Sequence, residues 1–301
     1  MIQSPLALAI DIERILYNGR VKLGTIQNGR EVIRHGKGFG LLGPDETEIR
    51  ADHELGVFFR EELTKLGGLA GITIEGDHKR NPVTHAESGL IAFCDPLDGS
   101  ESFYNDRETL PHGACITLFE RRPGQPLLYR DIVAAAAIDY RIGRTWRVRR
   151  EAWTEIGTPG KYLTFVNGVP ARVQDVEGLD IGNQRVYYEM YYPRMRADAA
   201  KHFGDKKGGI RSLGSALLEM LAVSHGKATL FACSSQKAHE APIGIVATLG
   251  AGGVAWPYAL DASAGQILDL EYDFNKQIEV VLAANAAVAT DFLTPLLAPS
   301  A

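Results

Sequence analysis

The sequence predicts a mixed chain of the α+β and α/β classes, on three observations. Helical and strand-like apolar patterns occur together in the first half, the second half alternates between them, and the composition is that of an ordinary globular protein. The chain has 301 residues, of which 45% are apolar and 23% are charged. This length allows one large or two ordinary domains, and this composition excludes a disordered or collagen-like chain.

Two helices are predicted ahead of the first strand. Apolar residues recur at helical spacing over residues 7–17 and again over about 49–66. The glycine-rich bridge 36–40 is interpreted as a hinge rather than a phosphate-binding loop, because no strand precedes it. The apolar runs that follow are short, which predicts buried strands at 72–74, 90–94, 114–119, 132–138, 145–148 and 162–166.

The second half predicts strands and helices in alternation, which is typical of an α/β layer. The predicted strands lie near 185–191, 228–232 and 280–283, and the predicted helices near 213–224 and 242–249 and at the end of the chain to about 297. The stretch 151–180 has little periodicity and several glycines and prolines, so we place a domain join there. The predicted domains are therefore 1–160 and 161–301.

The charge balance argues against two classes of partner. The chain has 32 basic and 37 acidic residues, a formal net charge of −5, whereas affinity for nucleic acid or anionic membranes comes from clustered Lys and Arg. The apolar stretch 6–10 is too short to span a membrane, and no signal-peptide pattern follows it. Cys94, Cys115 and Cys233 lie in or beside apolar runs and are interpreted as reduced thiols. We therefore expect a cytoplasmic protein whose partner is a small molecule, with neither nucleic acid nor membrane as a partner.

The segment 95–100, Asp-Pro-Leu-Asp-Gly-Ser, is the most informative part of the sequence. Its proline and glycine prevent a regular strand from continuing, so the chain turns and Asp95 and Asp98 can converge. Converging carboxylates repel each other unless a cation lies between them, and Mg²⁺ prefers such oxygen ligands. Ser100 begins a predicted helix, whose first N–H groups favour an anion. The segment therefore predicts a metal site that binds phosphate, with a solvated turn as the alternative.

Other stretches stand at characteristic separations from this motif. They are Asp52 at a predicted helix start, Glu75 at a predicted strand end twenty residues before Asp95, the helix start 209–216, and Gly-Ala-Gly-Gly at 250–253, about a dozen residues after Glu240. Together these stretches resemble the lithium-sensitive, magnesium-dependent phosphatases that include inositol monophosphatase and fructose-1,6-bisphosphatase. The resemblance implies a layered αβαβα sugar-phosphatase fold, hydrolysis of a small phosphorylated metabolite, lithium inhibition and a homodimer.

The resemblance also implies a role for each matched residue. Two or three Mg²⁺ ions would be held by Glu75, Asp95, Asp98 and Glu240 and by the carbonyl of Leu97, mostly from the N-terminal domain. Glu75, Ser100 and Asp52 form the implied catalytic group, in which Ser100, supported by Asp52, orients a metal-activated water that attacks phosphorus directly. Substrate contacts are implied for Asp98, Gly99, Ser100, Arg211, Ser212, Gly214, Ser215 and Lys237.

Two departures from the family pattern leave the substrate open. Inositol phosphatases have Trp-Asp where this chain has His239-Glu240, whereas Glu240-Ala241-Pro242 is similar to the fructose-bisphosphatase branch. The inositol-contacting glutamate of the family would fall near Cys233, and the lysine-bearing hairpin of the other branch is shortened to 234–237. Fructose 1,6-bisphosphate and inositol monophosphate are both candidate substrates. The alternatives are a phosphatase for 3′-phosphoadenosine 5′-phosphate and a non-catalytic, metal-binding regulatory protein.

Three further groups of residues receive structural interpretations. The arginines of 141–150 predict a solvated strand face, with contact to a second phosphate or a neighbouring subunit as the alternative. His78, His85 and His112 lack the spacing of a zinc site and are assigned to loops or to substrate access. The tyrosine-rich run 187–192 is typical of a strand in the core or at an interface, and adenine stacking is the alternative.

Overall fold

A computed structural model of the chain describes residues 3–35, 47–76, 89–151, 161–189, 195, 210–258 and 266–297. The glycine-rich bridge 36–40, His78 and His85 lie outside the described residues, and so do the end of the tyrosine run and the first residue of 209–216. Within the described part, two large sheets and six helices carry the fold, and β1 (Val32–His35) and β2 (Thr47–Ile49) pair antiparallel as a separate two-stranded sheet. Both strands precede the second long helix, so the expectation that two helices come before the first strand is wrong.

The first large sheet has seven strands that follow one another in chain order. They are β3 (Leu69–Ile74), β4 (Gly89–Asp98), β5 (Gly113–Arg121), β6 (Ile132–Asp139), β7 (Arg144–Arg150), β8 (Tyr162–Val166) and β9 (Val169–Pro170). Only the β3–β4 pair of this sheet is parallel. The six short apolar runs of the first half are thereby confirmed as strands. The sheet extends to residue 170, ten residues past the join at 160 that the sequence suggested.

Two long helices cover the outer face of this sheet. Helix α1 (Pro5–Thr25) begins where Ser4 caps it by accepting a hydrogen bond from the backbone N–H of Ala7, and α2 (Arg50–Lys65) packs beside it. Each helix buries one apolar stripe, as the 3.6-residue spacing predicts. The predicted solvated face of arginines is wrong for two residues of β7, because Arg147 pairs with Glu13 of α1 at 2.9 Å and the buried Arg150 pairs with Glu120 at 2.8 Å.

The second sheet has five strands in the order β11, β10, β12, β14, β13. They are β10 (Val186–Tyr188), β11 (Ile210–Arg211), β12 (Leu230–Lys237), β13 (Val254–Trp256) and β14 (Gln277–Ala283). The remaining helices of the described part are α3 (Ser100–Asp106), which follows β4, and α4 (Ala216–Ser224), α5 (Ala241–Gly250) and α6 (Ala286–Leu297), which belong to the second half of the chain. Tyr187 and Tyr188 are buried strand residues, as the core interpretation predicts.

Apolar side chains form three layers, which makes the fold a five-layer αβαβα sandwich. One layer lies between α1, α2 and the seven-stranded sheet. The second lies between the two sheets around α4 and α5, and the third lies between the five-stranded sheet and α6. The expected layered αβαβα architecture is confirmed. Cys94, Cys115 and Cys233 are buried free thiols. In the part of the chain that the structure describes, no helix combines the length and the apolar character that crossing a membrane requires.

Gly113 offers a test of how closely the strands pack beside the motif 95–100. It pairs with Asp98 on one side and Asp139 on the other, and a Cβ at this position would overlap the carbonyl oxygen of Ile138. We expect Gly113→Ala to lower the free energy of unfolding by about 1–3 kcal/mol, because neither backbone can move aside freely. Urea unfolding measures this loss. In Gly56→Ala, on α2, the new Cβ meets only the side chain of Ile74 at an ordinary 3.6 Å, so this control should gain about 0.5–1 kcal/mol. Equal stability of the two variants would contradict the prediction.

Candidate metal centre

The acidic motif forms the end of β4, which continues through Pro96 to Asp98 rather than ending at residue 94 as the sequence predicts. Pairing between β4 and β5 is interrupted between Asp95 and Asp98, so both side chains can turn to one side. The backbone N–H of Leu97 donates to Asp95 Oδ1 at 3.0 Å, and Gly99 has a φ of +77°, where a Cβ would approach the Pro111 carbonyl oxygen to 2.9 Å. This glycine therefore permits the turn that the sequence predicts, and α3 starts at the next residue.

Two further carboxylates reach this turn from distant parts of the chain. Glu75 follows the end of β3, and its N–H donates to the carbonyl of Cys94 at 2.9 Å in the neighbouring β4. Glu240 stands at the N-terminus of α5, directly after β12. Ligand atoms of Asp95, Asp98 and Glu240 lie within 4.8 Å of one another, and so do those of Glu75, Asp95 and His239. The structure thus brings together the four acidic side chains assigned to metal binding, with Asp95 in both groups.

The residues of this cluster fit a divalent cation. Asp95 is fully buried, and its Oδ2 has no hydrogen-bond partner among the described residues. A buried carboxylate oxygen without a donor is costly, and a bound cation would remove that cost. Leu97, whose carbonyl was assigned to the first ion, is buried, and it stands between the two aspartates in the sequence. The donor set of carboxylate oxygens is the set that Mg²⁺ takes in proteins.

The pKa shifts of the clustered aspartates also indicate a cation site. Burial, followed by the charges of Glu75 and Glu240, raises the pKa of Asp95 well above its ordinary value. Burial and the charge of Glu240 likewise raise the pKa of Asp98, although a hydrogen bond from Ser215 opposes them. In the absence of a cation the carboxylates therefore repel one another, and a divalent ion would relieve this repulsion.

Two nitrogen-bearing side chains lie against Glu75. Lys237 Nζ is 3.0 Å from Glu75 Oε1, and His239 Nε2 is 3.1 Å from the same oxygen. Burial lowers the pKa of His239, but Glu75 and Glu240 outweigh it and raise this pKa to about 9. Burial raises the pKa of Glu75, and His239 and Lys237 together bring it well below its usual value. Lys237, assigned to substrate, thus lies beside a metal-ligand candidate.

His239 is a member of the cluster that the sequence analysis missed. Its Nε2 is 3.4 Å from Glu240 Oε1 and 3.9 Å from Asp95 Oδ2. Comparison with the family pattern identifies His239 only as the residue that replaces a tryptophan. The available signal was its position next to Glu240, because a residue adjacent to a ligand at a helix start can face the same ion.

The residues assigned to substrate divide into an inner and an outer group. Ser215 Oγ donates to Asp98 Oδ2, and the backbone N–H of Leu217 donates to the same oxygen at 3.2 Å. The first turn of α4 therefore fixes the orientation of Asp98. Arg211, Ser212 and Gly214 are exposed on the segment before α4, and Gly99 and Ser100 are partly exposed.

Asp52 lies on α2, and His112 lies between α3 and β5. Asp52 is partly buried in the first turn of α2. Burial and then the charges of Asp95, Glu75 and Asp52 raise the pKa of the Cys94 thiol, so Asp52 lies within electrostatic reach of the end of β4. His112, assigned to a loop, directly precedes β5 and is buried in contact with the rings of Phe103 and Tyr140.

Glu219 supports the exposed segment before α4 and gives a pH-dependent prediction. It is fully buried in α4, its Oε1 accepts hydrogen bonds from Ser212 Oγ and the Leu213 N–H, and burial raises its pKa from 4.5 to about 8. A carboxyl with a raised pKa in the folded protein stabilises the fold below its unfolded pKa and loses this contribution as the pH rises to 8.

The free energy of unfolding of the wild type should therefore fall relative to Glu219→Gln by up to about 1.4 kcal/mol per pH unit between about pH 5 and pH 8. Urea unfolding of both proteins at pH 5.5 and pH 8 measures the difference. A difference that stays constant over this range would contradict the prediction.

Comparisons with known proteins identify the fold. No family model matches the sequence, and no curated protein matches it. Solved structures match over nearly the whole chain. The extragenic suppressor protein SuhB from Bartonella henselae has a TM-score of 0.69 at 17% identity, covering 96% of this chain and 98% of its own. The IMPase of Thermotoga maritima has a TM-score of 0.65 at 16% identity, covering 95% and 94%.

A third comparison involves bound ligands. Staphylococcal IMPase-II with inositol monophosphate has a TM-score of 0.65 at 14% identity, covering 96% of each chain. The same enzyme with 2′AMP has a TM-score of 0.67 at 13% identity, covering 96% of this chain and 93% of its own. The chain thus has the fold of the inositol monophosphatases, as the resemblance of its motifs implies.

Proposed function

We propose that this chain, which has the inositol monophosphatase fold, is a divalent-metal-dependent phosphomonoesterase of small phosphorylated metabolites. One observation carries the proposal: four carboxylates from separate parts of the sequence meet at one corner between the two sheets. Lys237 and His239 offset part of this negative charge, and the remainder would cost stability without a bound cation. Its position in a fold shared with phosphatase structures supports a catalytic role.

The metal ligands in this proposal are Glu75, Asp95, Asp98, Glu240 and the carbonyl of Leu97. Two or three divalent cations are the expected complement, and Mg²⁺ is the ion that the family resemblance implies. When bound, such cations neutralise phosphate oxygens and make a bound water more acidic. The chain itself keeps Asp98 in orientation through Ser215 and Leu217. This fixed orientation lowers the reorganisation that the site needs during the reaction.

The remaining residues act on water and substrate. Ser100, supported by Asp52, orients the attacking water, and Glu75 completes this group. Arg211 and Ser212 are exposed a few residues before Ser215, which contacts Asp98, and their side chains suit an anionic substrate. Gly214, just before α4, has a φ of +78°, and a Cβ at this position would clash with the side chain of Ser102.

The substrate proposed first is inositol monophosphate or fructose 1,6-bisphosphate, hydrolysed by a homodimer in the cytoplasm. Staphylococcal IMPase-II, which shares the fold, has been solved with inositol monophosphate. A nucleotide phosphatase, including one for 3′-phosphoadenosine 5′-phosphate, is a second candidate because the same enzyme has been solved with 2′AMP.

Phosphate release from a substrate panel tests the proposal. The purified full-length chain is incubated with inositol monophosphate, fructose 1,6-bisphosphate, 2′AMP and 3′-phosphoadenosine 5′-phosphate, with Mg²⁺, with Mn²⁺ and with a chelator. We expect metal-dependent release from at least one of them, and the same release from a variant outside the cluster, Asp291→Asn. Release that persists in the chelator would refute the metal dependence. No release with either metal would overturn the enzymatic proposal and favour a non-catalytic protein.

A further inference from the structure

The histidine in the cluster gives it a donor set that differs from an all-oxygen magnesium site. His239 is 6% exposed, and its Nε2 has no hydrogen-bond partner within the described ranges. This atom faces three carboxylates, Glu75, Glu240 and Asp95, at 3.1, 3.4 and 3.9 Å. A buried ring nitrogen that points into a group of acidic oxygens is placed as a metal ligand would be.

The spacing of these atoms suits a single small ion. Ligand atoms about 2.1 Å from one ion lie about 3.0–3.4 Å apart when they occupy neighbouring coordination positions. The separations between His239 Nε2 and the oxygens of Glu75 and Glu240 fall at this value, and the separation from Asp95 is slightly larger. The ring also packs against Phe274, with centroids 5.5 Å apart, which limits its rotation.

The identity of the donors determines which ion they favour. Mg²⁺ takes oxygen ligands in near-octahedral geometry, whereas imidazole nitrogen suits transition metals such as Zn²⁺ and increases their advantage. We propose that His239 Nε2, with Glu75 and Asp95, forms a mixed nitrogen and oxygen site that selects a divalent transition metal of the Mn²⁺ or Zn²⁺ class over Mg²⁺. This inference rests on the proposed metal-dependent function and specifies the ion at that site.

Metal binding by the complete chain tests the inference without an activity assay. Metal is removed with a chelator, and the dissociation constants of Mn²⁺, Zn²⁺ and Mg²⁺ are measured separately by calorimetry. Pulsed electron paramagnetic resonance of the Mn²⁺ form then detects a coordinated ring nitrogen through its ¹⁴N modulation. We expect this modulation in the wild type, together with a preference for Mn²⁺ and Zn²⁺ over Mg²⁺.

Two variants separate the role of His239 from that of the carboxylates. His239→Gln keeps a polar side chain but removes the imidazole, so the preference for Mn²⁺ and Zn²⁺ over Mg²⁺ should fall at least about tenfold and the ¹⁴N modulation should disappear. His225→Gln removes a histidine that contacts Trp146 and Leu221 away from the cluster, and both properties should remain. The wild-type modulation decides the question if His239→Gln fails to fold.

The possible negative results of this experiment lead to different conclusions. Mg²⁺ binding without ¹⁴N modulation in the Mn²⁺ form would overturn this inference and leave the proposed phosphatase intact. An unchanged metal preference in His239→Gln would also overturn it. Absence of binding of all three ions would overturn both the inference and the proposed function.

Discussion

Replacing Asp98 with asparagine is expected to lower the phosphatase kcat at least about a hundredfold while the protein stays folded. Asparagine has nearly the volume of aspartate, and its side-chain oxygen can still accept from Ser215 Oγ and the Leu217 N–H. The variant lacks the negative charge that, with Asp95 and Glu240, would hold an ion. Activity therefore falls through loss of the ion rather than through unfolding.

The measurement is steady-state phosphate release on the best substrate of the panel, with a thermal unfolding curve of each protein. Asp291→Asn is the matched control, because Asp291 accepts from the Leu179 N–H at 3.0 Å on the far side of the five-stranded sheet. It should retain wild-type kcat. Wild-type turnover in Asp98→Asn would contradict the assignment of Asp98 as a metal ligand.

Asp95→Asn is expected to have opposite effects on stability and on metal binding. Asp95 is completely buried, and Glu75, Glu240 and Asp98 repel its charge. Asparagine can keep the hydrogen bond that Leu97 donates to Oδ1, and its amide can donate to the neighbouring carboxylates from the position of Oδ2. We therefore expect the metal-free variant to be more stable than the metal-free wild type by about 1–3 kcal/mol, with metal binding and activity lost.

Chemical unfolding in a chelator, with and without added divalent metal, checks this prediction. The wild type should gain stability when the metal is added, and Asp95→Asn should not. Asp139→Asn is the control for a buried aspartate outside the cluster, because Asp139 accepts from the Arg141 N–H and lies near its guanidinium. It should not stabilise the protein. A metal-free Asp95→Asn that is less stable than the wild type would refute the repulsion argument.

Sequence patterns could predict the elements that carry the acidic turn, because their causes are local. The proline within 95–100 interrupts the pairing of β4 with β5, which resumes at Asp98, and the strand ends before Gly99, which adopts a left-handed conformation. Short apolar runs predicted β3 to β8 of the first sheet and β10, β12 and β14 of the second, whereas the shorter strands β9, β11 and β13 were not predicted. Glu75 could be placed at the end of β3 because it directly follows the apolar run 72–74. The structure adds that β3 and β4 are neighbouring parallel strands, whose ends meet at one edge.

The contacts of Lys237 and His239 with the carboxylates could not be predicted from the sequence, because they depend on residues that are far apart in the chain. Pairing of β12 with β14 is irregular between Cys233 and Gln236, so simple alternation does not give the direction of Lys237. The contact of Lys237 and His239 with Glu75 joins residues more than 160 positions apart in the sequence. Only the packing of one sheet on the other brings them together, and no sequence period records that packing.

The two sheets contribute different ligands to the cluster. Glu75 and Asp95 belong to the edge of the seven-stranded sheet, whereas His239 and Glu240 follow the last residue of β12 in the five-stranded one. An ion held by both sets would cross-link the sandwich through bonds that the unfolded chain cannot make. Supply of that ion would then control the lifetime of the protein as well as any turnover, so that starvation for the metal would deplete the protein itself.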